Sequence, residues 1–175
     1  MDRSLQGVAE KPTDQMGRLQ GMLAELQPDE IVEFDRLFQT HHRRASTHLM
    51  LAAAEVLAGH CSDDGFDDFR GWLISRGQSA YEGALADPDS IASVVPHDHQ
   101  CQVEGFRYVA LAAWATRTGK EVSDFPFPDT APSSGLTGEG CQFEKMDEIF
   151  PRLLDLAAKR VVMDQFSMRP GQRVQ

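Results

Sequence analysis

The 175-residue sequence predicts an all-α, single-domain multi-helix bundle. Three observations carry that expectation. Apolar residues recur at i, i+3 and i+4 along most of the chain, the spacing that lines one face of a helix. The periodic runs are bounded by helix punctuation, with Ser, Thr, Asp or Pro at their starts and Gly at their ends. No run of alternating β-branched residues marks a strand. The expected architecture is roughly seven helices around an alanine-rich central one, with a long Pro/Gly-rich loop before the last.

The elements follow in order. Residues 1–12 read as a flexible polar segment ending at Pro12, and residues 13–166 as the helical domain. Thr13 or Asp14 is placed to cap a first helix carrying Met16, Leu19, Met22, Leu23 and Leu26 on one face. Pro28 suits a helical first turn, where its missing N–H is not needed. Asp29 and Glu30 complement the positive helix end there. Ile31, Phe34, Leu37 and Phe38 form the buried stripe of this second helix, and His41, His42, Arg43 and Arg44 close it. Ser46 or Thr47 restarts the chain into LMLAAAEVLAG, which is apolar almost all round and therefore central, and Gly59 ends it. Ser62 caps the next helix, with Phe66, Phe69, Trp72 and Leu73 inward and Gly77 as its stop. A short helix over Ala80 to Leu85 precedes Asp87-Pro88, read as N-cap and first residue of another short segment. PHDHQC is a break. Val103 to Arg117 reads as a helix with Phe106, Val109, Ala110, Ala113 and Trp114 inward, ending at Gly119. Residues 120–141 are loop. The last helix runs from Lys145 to about Phe166, interrupted or restarted at Pro151. Residues 167–175 are a flexible tail.

The composition excludes several classes. With 41% hydrophobic residues the chain has core material that a disordered protein lacks. A net charge of −10 repels phosphate backbones, so nucleic acid is not an expected partner. The first residues carry early acids and no apolar run, unlike a secretory signal. No stretch approaches ~20 uninterrupted apolar residues, so no membrane partner is expected. Cys61, Cys101 and Cys141 are an odd, widely spaced set, which argues for free thiols and a reducing cytoplasm. No Walker or dinucleotide pattern is present, and no cofactor is expected. The sequence leaves the oligomeric state open.

The densest chemistry lies between His60 and Ser90. Asp63, Asp64, Asp67 and Asp68 fall in the first turns of the Ser62-capped helix. Carboxylates there complement the helix dipole, yet Asp63 with Asp67 and Asp64 with Asp68 are like-charge i, i+4 pairs. Asp67 with Arg70 is the opposite-charge pair available within the helix, and Arg70 is expected to hold two helices together through an aspartate. Trp72 and Arg70 have the chemistry of a binding hot spot, although Trp72 shares the apolar face of Phe69, Leu73 and Arg76.

The run SDDGFDDFRGWLISRG followed by ALADPDSIA resembles a bacterial family common in actinobacteria, domain-of-unknown-function family 4240. EIVEFDRLF, LAAAEVLAGHCSDDGF, FRYVALAAWATRTGKE and FPRLLDLA extend the resemblance from Ile31 to Leu156. The resemblance implies no catalytic role for any residue. His60 replaces a second glycine that members often carry, and aromatic residues common near Met50 and Glu55 are missing.

Two other constellations bear on function. His60, Cys61, His97, His99 and Cys101 have zinc-ligand side chains at two breaks, but neither CxxC nor HExxH is present, so no metal is assigned. Cys61 precedes a helix N-terminus, where a thiolate is favoured, with His60 beside it. No nucleophile elbow accompanies them, and catalytic residues stay unknown. The leading expectation is a cytoplasmic protein-binding or regulatory module, with the acidic helix start and Arg70 as its recognition surface for a basic protein partner. The alternative is an enzyme or small-ligand or metal-binding protein built on Asp63–Arg70, with residues 120–141 as a lid.

Overall fold

A computed structural model describes residues 1–5, 11–96, 100–127 and 135–167. Among the described residues nine α-helices follow one another: α1 Asp2–Leu5, α2 Pro12–Ala24, α3 Pro28–Arg44, α4 His48–Ala58, α5 Asp63–Ser75, α6 Gln78–Ala86, α7 Val109–Thr118, α8 Met146–Ile149 and α9 Pro151–Ser167. Short 3₁₀ turns at Pro88–Ser93, Phe106–Tyr108, Val122–Asp124 and Phe143–Lys145 join them. The all-α expectation holds: no strand occurs among the described residues, and the one β-bridge pairs Thr47 with Thr137. That bridge ties the 135–138 segment to the start of α4 through Thr137 N–H to Ser46 O and His48 N–H to Thr137 O, both 3.0 Å.

Two apolar cores divide the interior. α2, α3 and α7 enclose Leu19, Leu23, Ile31, Ala113 and Trp114, with Phe125 edge-on to Trp114 at 5.6 Å. The alanine-rich α4 packs against α5 and α9, burying Met50, Ala53, Phe69, Trp72, Phe150 and Leu153. Ala52, Ala53 and Ala54 let those neighbours approach closely, as the sequence implies.

The caps explain most boundaries. Thr47 accepts from Met50 N–H, and Ser62 from Gly65 N–H. Gln27 and Glu30 form a reciprocal capping box at Pro28. Gly59 and Gly119 end α4 and α7 in the left-handed conformation. The first cap differs from expectation: α2 begins at Pro12 with Lys11 before it, because proline already occupies the N-terminal turn. Val103 to Tyr108 is not α-helical. Gly105 there has φ +115°, and a Cβ on it would meet Met16 Sδ at 2.8 Å. The helix therefore starts only at Val109. The polar N-terminus also holds structure, for Asp2–Leu5 forms one helical turn with Ser4 fully buried.

Two polar devices lock the frame. Asp87 accepts from Asp89 N–H and starts the Pro88 turn, as its sequence suggests. The buried Asp89 carboxylate reaches the first turn of α9. It accepts from Arg152 N–H, from Leu153 N–H at 2.9 Å, and from Arg152 Nε at 2.8 Å. An aspartate more than sixty residues upstream thus caps the last helix. At the other end of the bundle, Gln15 donates to Ser75 O at 2.8 Å and accepts from Arg76, which lies over the Trp72 ring.

Candidate functional site

Ser62 sets where α5 begins, and that fixes which face each motif residue takes. Phe66, Phe69, Trp72 and Leu73 fall on the inward stripe, and Trp72 is fully buried against Phe69 at 5.6 Å between centroids. It is core, not a contact residue. Asp63 and Asp64 fall outward and are exposed. Neither makes a hydrogen bond or ion pair with another described residue. Asp67 and Asp68 lie between these extremes.

Asp67 is the hub of the constellation. Its two carboxylate oxygens separately accept from Arg70 and from Arg107. Arg70 is 8% exposed, which a guanidinium tolerates only when its donors are filled. They are directed to Asp67, to Phe66 O at 3.3 Å and to His42 O at 3.2 Å, and the guanidinium sits 4.5 Å over the Phe66 ring. Arg70 has an aspartate partner inside the fold, as expected, but that aspartate lies in its own helix; the tie from α5 to the end of α3 runs instead through the His42 carbonyl.

His42 completes that joint. Its Nε2 lies 2.9 Å from Asp67 O. A carbonyl can only accept, so Nε2 carries the hydrogen. Burial, and next the Arg70 charge, push the imidazole down to about 4 from an ordinary 6.5, against the pull of Asp67. His42 is neutral at pH 7. The sequence places it with the positive groups at a helix end, but it is buried and stacked on Phe38. Its spacing from Ile31, Asp35 and Phe38 puts it on the inward stripe. Arg107 has no local signal, since it arrives from forty residues away.

Asp68 differs from Asp67. Partial burial first, and then the nearby Glu104 charge, raise its carboxyl above the usual range, while Arg107 opposes them. The acidic start of α5 therefore divides: Asp67 is consumed inside the fold, while Asp63, Asp64 and Asp68 face outward or sideways with Glu104 nearby.

The histidine and cysteine candidates, to which the sequence assigns no metal and no catalytic role, are placed as follows. Cys61 is buried, and that burial raises its thiol rather than releasing a thiolate, despite a Gln102 amide 3.3 Å from Sγ. Cys101 is buried and His60 is exposed. His97 and His99 lie outside the described residues. No group of three His, Cys, Asp or Glu among the described residues could hold a metal ion. Cys61, Cys101 and Cys141 form no disulfide. No described helix is long and apolar enough to cross a membrane.

No curated protein and no solved structure matches the chain. A family model does, over residues 1–116, which contain the whole α5 motif, His42 and Arg107. The chain accordingly belongs to the family described as "Protein of unknown function (DUF4240)".

Proposed function

We propose that the protein is a cytoplasmic protein-binding or regulatory module that recognises a basic partner through the outward acids at the start of α5. One observation carries this reading. Asp63 and Asp64 are exposed with no hydrogen bond or ion pair to another described residue, while the adjacent Asp67 is fully engaged. Asp68 adds like charge beside them, with its carboxyl raised first by partial burial and then by Glu104, against the pull of Arg107. A cationic side chain arriving there relieves repulsion that the fold leaves standing, and the excess negative charge steers its approach. An odd set of three cysteines, none joined in a disulfide, is in keeping with a reducing compartment.

The test uses a lysine dodecapeptide, with binding followed by titration calorimetry at low and moderate salt. An Asp63→Asn/Asp64→Asn double variant is expected to bind at least tenfold more weakly. A Glu121→Gln/Asp124→Asn double variant removes the same charge at another exposed place and is expected to lose less than threefold. Equal losses in the two variants would show a response to net charge alone and end the proposal.

A further inference from the structure

A second site stands apart from the α5 acids, where α6 packs against the Pro88–Ser93 turn. A cavity of about 340 Å³ opens there, lined by Arg76, Ser79, Ala80, Ser90 and Ser93 among others. Arg76 directly follows α5, and its side chain is half-buried. Burial pushes the guanidinium below its ordinary range, and the Cys101 thiol opposes that shift. Nε and Nη2 donate to Ser75 Oγ, and Nη2 also to Gln15 Oε1 at 2.5 Å. Both acceptors are neutral. Nη1 makes no hydrogen bond to a described residue, and no described carboxylate pairs with the charge. Arg70 and Arg107, by contrast, share Asp67. A cation drawn partly out of water without a counter-ion is costly, and an anion in the cavity would offset that cost.

Other donors converge on the same space. The Ser93 hydroxyl is spent on Ser90 O at 2.8 Å. Those of Ser79 and Ser90 donate to no described residue, so both can turn toward the cavity. Asp2 takes the Gln78 N–H at 2.9 Å, and Gly77 brings no capping side chain. Ser79 and Ala80 come next, and N–H groups in a first helical turn have no carbonyl one turn back to bind. We infer that this cavity binds a phosphate group, as the free anion or as a small phosphate monoester. A guanidinium, two hydroxyls and two backbone N–H groups are all donors, and a phosphate dianion offers acceptors to each. No described Asp or Glu lines the cavity. Its size falls in the range of small-molecule sites, about 300–1,000 Å³, and Gly83 and Val94 leave an uncharged wall for the body of an ester. The net charge of −10 opposes anions in general, so binding depends on the local Arg76 charge and extended polyanions are disfavoured. This inference is independent of the reading of the α5 acids.

Inorganic phosphate and phenyl phosphate are titrated into the full chain at constant ionic strength, with sodium chloride as the control. Binding is followed in proton–nitrogen correlation spectra through the Arg76 Nε–H and the Ser79 and Ala80 amides. The expected result is a saturable shift of these signals with phosphate or phenyl phosphate and none with chloride. Ser79→Asp places a carboxylate at the cavity, at an exposed first-turn position whose helix dipole favours it, and a thermal melt verifies the fold. Binding should fall at least tenfold. Ser123→Asp adds the same charge at an exposed position outside the cavity and should change binding by less than twofold. Arg76→Gln should abolish saturation; if that variant does not fold, Ser79→Asp decides. Tighter binding of phenyl phosphate than of phosphate identifies the ester as the ligand, and equal or weaker binding the free anion. The inference is overturned if neither compound gives a saturable shift at these residues, if chloride shifts them equally, or if Ser79→Asp binds within twofold of wild type.

Discussion

Replacing Arg70 separates a structural motif from a recognition motif. Arg70→Ala removes charge-assisted hydrogen bonds to two carbonyls and a carboxylate, and the contact over Phe66. Breaking a buried ion pair costs about 3–5 kcal/mol, because the remaining charge loses its compensation. Here the lower end applies. Asp67 keeps Arg107, and its side chain is 28% exposed, so water can reach it. The expected loss is about 3 kcal/mol, or about 6–12 °C in Tm at about 2–4 °C per kcal/mol for a chain of this size. Asp64→Asn serves as the contrast. Asp64 touches no partner, and surface changes of that kind stay within about 0.5 kcal/mol. Urea unfolding followed by far-UV circular dichroism measures both, with an unchanged m-value as the sign that only stability has moved. The reasoning fails if Arg70→Ala costs less than about 1 kcal/mol, or if Asp64→Asn costs as much as Arg70→Ala.

Three further outcomes follow from the same structure. His42 is neutral in the fold and titrates near 4, while its unfolded counterpart titrates near 6.5, so between those values the unfolded chain binds more protons. Its contribution is complete above about pH 6.5 and is lost as pH falls toward 4, with an amplitude on the order of 3 kcal/mol at 1.36 kcal/mol per pKa unit. Unfolding free energies from pH 4 to 7 should show a shallower slope in His42→Asn than in wild type; parallel slopes would refute the assignment. Asp89→Ala should cost about 2–3 kcal/mol by stripping α9 of its cap and leaving first-turn N–H groups unpaired, against less than about 1 kcal/mol for the exposed Asp87→Ala, both read from thermal melts. Gly17 and Gly21 sit in the interior of α2 with open space where a Cβ would stand, so Gly17→Ala and Gly21→Ala should each raise stability by roughly 0.5–1 kcal/mol. A loss in either would mean that α2 is not helical there.

The helices were legible wherever local chemistry decides a boundary. Ser62, Thr47, Pro28 and Gly119 act on backbone groups within a few residues, and each stands where its chemistry places it. The Val103–Tyr108 segment misleads because Phe106, Val109 and Ala110 do carry helical spacing. What breaks the helix is the positive φ of Gly105, at a place where Met16, far away in sequence, leaves no room for a Cβ. The site divides in the same way. The Asp67–Arg70 pair was readable from its three-residue offset. Arg107 and Gln15 were not, since their partners come from other elements. His42 was readable in principle: a strict stripe of Ile31, Phe38 and His42 outranks the habit of assigning histidines near a helix end to the dipole.

The most distinctive stretch of the sequence is largely spent on architecture. Ser62 caps, Asp67 and Arg70 bind α5 to α3, Trp72 fills the core, and Arg76 and Ser75 engage Gln15. A polar group whose hydrogen bonds are satisfied inside the fold has little left to offer a partner, since engaging one would first require breaking them. Dense chemistry within a motif is therefore a poor guide to its function once the partners are counted. The same counting points to what remains. Asp63 and Asp64 carry charge that the fold does not use, and Leu37 exposes apolar surface on α3. These features lie within residues 1–116, the span shared with the family, whereas the helix that Asp89 caps lies beyond it. Asp89 itself is inside the shared span, so without that last helix its carboxylate would lose the three N–H donors that Arg152 and Leu153 supply. Asp89 is thus worth keeping only where a helix like α9 packs on it: a carboxylate that no helix covers is hydrated by water and gives the fold nothing.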